Sequence, residues 1–193
     1  MSGPVTVDTS ALALGLAQIR VGNSADNIAK PGAELSASDS IGSLTGTKFI
    51  GNTEWYEHES GFPLKKDFAI AIRDNASIEG TFEEIKPYNL ALAYGIDPTD
   101  GSYPSSHTGE IALGGRTSPE YVRVETVYTF PNGTNYMTII FPRAQVKSTV
   151  EIDLQAESAA GVPITIDSNI ADSNVSGGNA VWDSKPLGRI FFS

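Results

Sequence analysis

The chain has 193 residues and a mass of 20.4 kDa, enough for one domain with a sizeable core. Its 13 Lys plus Arg stand against 23 Asp plus Glu, a formal net charge of −10, which excludes tight binding to nucleic-acid phosphates or an anionic membrane by clustered cations. Without cysteine, disulfides, thiolate nucleophiles and Cys-rich metal sites are excluded, and two histidines, His58 and His107, leave little for a histidine-based metal site.

In chain order, residues 1–10 carry no basic region, and the apolar stretch 11–17 is short and broken by Gly15. It reads as neither a signal peptide nor a membrane span, but as part of an N-terminal arm over about 1–16. Most of the apolar residues that follow alternate with period two, so the chain reads as mainly β. Strands are expected at 17–21, 48–57, 66–73, 77–85, 110–113, 149–156, 162–166 and 189–192. In 66–73, Phe68, Ile70 and Ile72 are expected to face a core, opposite Asp67 and Arg73. In 149–156, Val150, Ile152 and Leu154 alternate with Glu151 and Asp153, the pattern of a half-buried strand with a wet acidic face. The hairpin 121–130/136–141 turns at Pro131-Asn132-Gly133-Thr134, where Asn-Gly provides the positive φ of a tight primed turn. One short helix is expected over 87–94: Pro87 suits a first helical turn, Leu90 and Tyr94 share a face, and Gly95 stands at the C-cap. Segments 23–46, 96–108 and 167–179 carry no core pattern and read as long loops. The whole of 1–193 forms a single domain, with no internal repeat.

No residue set carries a reaction, so the chain is not expected to be an enzyme or to hold a cofactor. Gly42-Ser-Leu-Thr-Gly46 lacks the Lys-Ser/Thr of a phosphate loop. Asp97-Pro-Thr-Asp100-Gly101 lacks the alternating oxygens and closing Glu of a calcium loop and reads as a capped turn. In the acidic cluster Glu54-Trp-Tyr-Glu57-His58-Glu59, strand alternation puts Glu57 and Glu59 on one face and Glu54 and His58 on the other, so no convergent acid–base pair is implied.

The order of elements is more telling than any motif. An apolar arm and a Gly/Ser-rich loop precede Thr53-Glu-Trp-Tyr-Glu57 and Gly61-Phe-Pro63. Phe82-Glu-Glu-Ile85-Lys-Pro87 then leads into the helix Tyr88-Asn-Leu-Ala-Leu-Ala-Tyr94-Gly95. A long hairpin, Phe141-Pro-Arg-Ala144-Gln-Val146, an acidic strand and Val162-Pro-Ile-Thr165 complete the series. This order resembles the major tail tube proteins of long-tailed bacteriophages, over roughly residues 17–193. The resemblance implies a β-sandwich or barrel-like subunit with one short flanking helix, assembled into hexameric rings that stack into a tube in the virion tail. Assembly would take place in the bacterial host cytoplasm. The implied partners are other copies of the chain, the tape-measure protein, the tail terminator and distal tail proteins, and double-stranded DNA in passage without tight binding; no membrane is implied. On this reading Glu151 and Asp153, with Asp67 and Glu79, are expected to make the lumen acidic, and the loop of about 23–46 is expected to dock Ile28, Leu35 and Ile41 on a neighbouring ring. Two other readings stay open: a soluble carbohydrate-binding β-sandwich with Trp55 and Tyr56 as a stacking platform, and the tube of a contractile tail or secretion system.

Overall fold

The computed structural model describes residues 15, 17–28, 34–103, 108–115, 117–152, 154 and 160–193. The expected N-terminal arm, apart from Gly15, lies outside the described residues, as do Asp153 and His107.

The chain is mainly β, as its alternation implies. It forms one antiparallel sheet of seven strands: β1 (Gln18–Asn23), β2 (Leu44–Ser60), β3 (Lys65–Phe82), β4 (Val122–Thr129), β5 (Tyr136–Val146), β6 (Val162–Ser168) and β7 (Arg189–Phe192). The order is β1-β4-β5-β6-β3-β2, and β7 pairs with the first part of β5. The sheet curls until its ends face each other. Ile19 on β1 approaches Gly80 on β3, and the segment entering β2 ties back to β1 through Ile41 N–H donating to Ile19 O at 3.0 Å and a bridge between Arg20 and Ser40. The resulting barrel-like shell encloses one apolar core, with Ile19, Leu44, Ile78, Phe82, Phe141 and Ile164 among its members.

The helix α2 (Pro87–Ala93), which follows the single helical turn α1 (Ser24–Asn27), forms where expected and buries Ala91, Leu92 and Ala93 against the shell. It ends at Gly95, which has φ +74°, and a Cβ there would lie 2.9 Å from Val146 O, so glycine is required on both counts. The β4–β5 hairpin is also as expected, but its turn is not. Only Gly133 has positive φ, and Phe130 N–H donates to Asn135 O across a four-residue loop whose Asn132 Oδ1 accepts from Thr134 N and Asn135 N. The Asx side chain, rather than a primed turn, organises this connection.

Several expected elements take another form. The strands expected at 66–73 and 77–85 are one continuous strand, β3, and Phe68, Ile70 and Ile72 are exposed rather than core-facing, because β6 pairs only with residues 77–82. No strand forms at 110–113, where Leu113 is exposed. None forms among the described residues of 149–156 either: Val150 rests against the core, while Ile152 and Leu154 are exposed.

The expected loop 23–46 is also structured in part. Ser36 and Asp39 form a capping box around the 3₁₀ turn Ala37–Asp39, and Ile28, Leu35 and Ile41 are buried within their own subunit. Little of these three side chains is left exposed for the contact with a neighbouring ring that the sequence led us to expect of them. Ile28 packs with Ile140, Ala171 and Trp182 in a second small cluster on the outside of the sheet, where the Trp182 indole N–H donates to Ile28 O.

β4 carries a buried ion pair. Arg123 and Glu125, two apart on β4, are fully buried and paired through Glu125 Oε1. Glu125 Oε2 accepts from Leu35 N–H at 2.7 Å, and Arg20, whose register partner is Glu125, donates from Nη1 to Leu35 O at 2.6 Å. Both main-chain polar groups of Leu35 are thereby satisfied by side chains of the sheet, which is how a Ser- and Gly-rich segment is held in place. Replacing Glu125 alone by Leu removes the buried carboxylate paired with Arg123 and is expected to cost about 3–5 kcal/mol in urea unfolding. The double variant Arg123→Met/Glu125→Leu is expected to recover most of this and to retain a deficit of about 1–3 kcal/mol for the orphaned Leu35 N–H.

Tyr88, on α2, donates its hydroxyl to Val21 O at 3.4 Å. Burial, with the charges of Asp39 and Asp97 nearby, pushes its pKa from 10.0 up to about 12. The unfolded chain therefore releases this proton first, and stability is expected to fall as the pH rises from 10 towards 12. Tyr88→Phe should flatten that alkaline decline in thermal melts recorded at several pH values.

Candidate functional site

β2 and β3, at 17 and 18 residues, are far longer than the sheet that holds them. Their roots, up to about Asn52 and down to Asn75, belong to the shell. Beyond this the two strands pair only with each other, as a ribbon closed by the turn 61–64 with a cis Phe62–Pro63 peptide. Among the described residues neither outer edge of that ribbon pairs with another strand, and β2 is an outer edge of the sheet along its whole length.

The ribbon keeps its shape through cross-strand contacts. Arg73 donates to Glu54 at 3.4 Å, Lys66 to Glu57, and His58 stacks on Phe68 with ring centroids 5.2 Å apart. Register shifts between Glu54 and Trp55 and between His58 and Glu59 add twist. Directly opposed residues share a face, so Tyr56 lies with Ile70 and His58 with Phe68 on one side, and Trp55 with Ala71 on the other. Both faces therefore present apolar groups to solvent: Trp55 is 59% exposed, Ile70 55%, Leu64 68%, and Phe62 at the tip is fully exposed. At about 150–250 Å² for a large side chain, these residues with Phe49, Tyr56, Phe68 and Ile72 expose roughly 1,000 Å² of apolar surface.

The same geometry argues against two chemistries. Trp55 and Tyr56 point to opposite faces of the ribbon and cannot form a single stacking platform for a sugar ring. Glu54 and Glu57 each have a cationic partner across the ribbon and do not converge. Asp97 Oδ1 accepts from Thr99 N–H at 2.9 Å, so this acidic run caps the 3₁₀ turn Pro98–Asp100. Among the described residues no group of three or more His, Asp or Glu is placed to hold a metal, and no helix is long and apolar enough to cross a membrane.

The acidic residues singled out in the sequence are not brought together. Glu79 lies on the outer face at the root of β3, 3.5 Å from Lys48 Nζ; Asp67 lies on the distal ribbon, 3.9 Å from His58 Nε2; Glu151 is exposed in the irregular segment after β5. Lys147 and Asp167, 3.9 Å apart, add another opposed pair next to Glu79. The arm itself escaped the sequence reading. Its signal was the two alternating apolar runs on either side of Gly61-Phe62-Pro63, which look the same whether or not anything covers them.

No protein-family model matches the chain, and a search of curated proteins finds no match. Among solved structures, the chain is similar to the anti-feeding prophage cap, a tube-terminating cap, at 11% identity and a TM-score of 0.48, covering 100% of this chain and 94% of that one. It is also similar to a chain of the PVC sheath–tube complex of an extracellular contractile injection system, at 11% identity and a TM-score of 0.46 over 92% and 88% of the two chains. A third likeness is to the tail of an empty GTA particle, at 12% identity and a TM-score of 0.43 over 79% and 90%. At these identities and scores the likenesses decide neither family nor function.

The distal ribbon contributes no residue to either apolar cluster of the shell. Joining Asn52 to Asn75 through an Asn-Gly turn, in place of residues 53–74, is therefore expected to leave the melting temperature within a few degrees of the full chain while raising solubility. Calorimetry and solubility curves check both.

Proposed function

We propose that this chain is the building block of a tube: a subunit that joins copies of itself into rings and stacks the rings. The observation that carries the proposal is the long ribbon with two unpaired edges and apolar residues on both faces. Monomeric proteins blunt such edges with short strands, charge, bulges or Pro; this one carries charges and two bulges, yet it is long and also rich in exposed aromatic and β-branched residues. Because these residues lie on both faces, covering their roughly 1,000 Å² takes neighbours on two sides, as a ring or stack provides. The contact this geometry favours is head-to-tail, one copy's edge on a different surface of the next, which closes into rings when the rotation permits.

Within this proposal, the resemblance to tail tube proteins supplies the finer reading: six-fold rings in a virion tail, contacts with tape-measure, terminator and distal tail proteins, and a lumen through which double-stranded DNA passes. The net charge of −10 supports passage without adhesion, because like charges repel and no cationic cluster captures phosphates. Glu151, exposed after β5, and the neighbouring Asp153 remain the proposed lumen acids, with Asp67 and Glu79 contributing less because each faces a cation or imidazole.

Purified full-length chain at rising concentration is expected to form rings or tubes in negative-stain micrographs and multi-subunit species in light scattering. Ile70→Lys, at an exposed ribbon position, is expected to abolish these species without changing the circular dichroism spectrum. A strictly monomeric wild-type chain at every concentration and salt level would overturn the proposal.

A further inference from the structure

At the root of the arm, on the face of Phe49 and Ala76, the sheet leaves an apolar recess of about 200 Å³ walled by these two residues with Ile139, Phe141, Ile190 and Arg189. Small-ligand pockets run to about 300–1,000 Å³, so this recess suits a single side chain better than a metabolite. The Nε of Arg189 is buried with no hydrogen-bond acceptor, and its guanidinium lies 5.1 Å from the Phe191 ring and opposite no carboxylate among the described residues.

We infer that this recess receives Phe62 from the arm tip of a second copy of the chain. The inference rests on the proposed self-assembly and names the contact that would stack one copy on the next. The subunit's own tip cannot fill the recess. Phe49 and Phe62 lie at opposite ends of the same paired ribbon, roughly 40 Å apart at about 3.3 Å per residue. Phe62 is fully exposed and Leu64 about two-thirds exposed, an apolar knob that none of the described residues covers.

Charge agrees with the same partner. Of the acids of the distal arm, Glu54, Glu57 and Asp67 face Arg73, Lys66 and His58, whereas Asp74 and Glu59 form no ion pair among the described residues, Lys66 opposite Glu59 being taken by Glu57; of these two, Glu59 lies near the tip, three residues before Phe62. It is placed to meet Arg189 when the tip is seated. The exposed Ile70, Tyr56 and Phe68 on one face of the arm let it lie along the neighbour as well as insert its tip. Because knob and hole sit at opposite ends of one subunit, each docking leaves one of each open, and the contact propagates instead of stopping at a dimer.

The chain has no cysteine, which makes a directed cross-link unambiguous. In Phe62→Cys/Ile190→Cys protein, mild oxidation of the assembled state is expected to give a ladder of disulfide-linked dimers, trimers and higher species on a non-reducing gel, whereas either single variant should give dimers at most. Phe62→Ser is expected to raise the concentration at which assembly begins by about tenfold or more, with the melting temperature of the subunit unchanged because Phe62 packs on nothing within it. If wild-type chain assembles but the double variant yields no ladder beyond the singles, or Phe62→Ser leaves the threshold where it was, this docking is overturned and the proposed function stands. If the wild-type chain does not assemble at all, both fall.

Discussion

The mismatch in length between one hairpin and the sheet that carries it governs this structure. β3 runs over 18 residues, yet β6 offers it hydrogen-bond partners only at residues 77–82. Everything on the short side of that limit is ordinary protein interior: Ile78 and Phe82 are buried, and the strands curl until β1 meets the root of β2. Everything beyond it is a two-stranded ribbon that would be marginal in water by itself and is held straight by its continuity with the sheet and by cross-strand ion pairs. One element thus serves a core at one end and leaves apolar surface uncovered at the other.

The shell has to be firm for such a lever to be useful, and its firmness comes from how the curl is sealed. Segment 34–44 crosses from the outer face of β1 to the start of β2, and few of its side chains are large enough to anchor it by burial. Polar groups compensate: the Arg123–Glu125 pair and Arg20 take up the backbone of Leu35, and the Asn89 side chain donates to Ile41 O at 2.8 Å and to Glu84 O at 2.7 Å. A buried ion pair is a poor source of net stability but a strong determinant of arrangement, because any alternative leaves a charge without a partner. It fixes where the covering segment lies, and with it the direction in which β2 sets out.

The outer cluster around Trp182 plays the same part on the other flank. The C-terminal stretch reads as loop, with little periodicity, yet it folds over β5 through a series of turns and ends in β7 against residues 137–140. Leu187 and Ile190 thereby come beside Phe49 and Phe141 and complete the recess at the arm's root. Residues separated by nearly the whole chain are joined there, at the place where the ribbon leaves the body.

Alternation along the chain was enough to establish a mainly β protein, the β4–β5 hairpin, β6, β7 and the helix ending at Gly95, because each depends on neighbours within a few residues: a period of two, an Asx-Gly turn, a glycine at positive φ. Charge and the absence of cysteine likewise settled which chemistries were out of reach. What alternation cannot encode is whether a given face is covered. Phe68, Ile70 and Ile72 carry the same pattern as Ile164 and Ile166, but the first three lie past the end of β6 and the other two inside the curl. Val150, Ile152 and Leu154 repeat the pattern again, yet none of these three is in a strand. Conversely, Ile28, Leu35 and Ile41 sit in a sequence too polar to look like core and are buried all the same, because side chains distant in sequence hold that segment down. Burial is a property of the partner surface, and the partner is chosen only when the sheet closes.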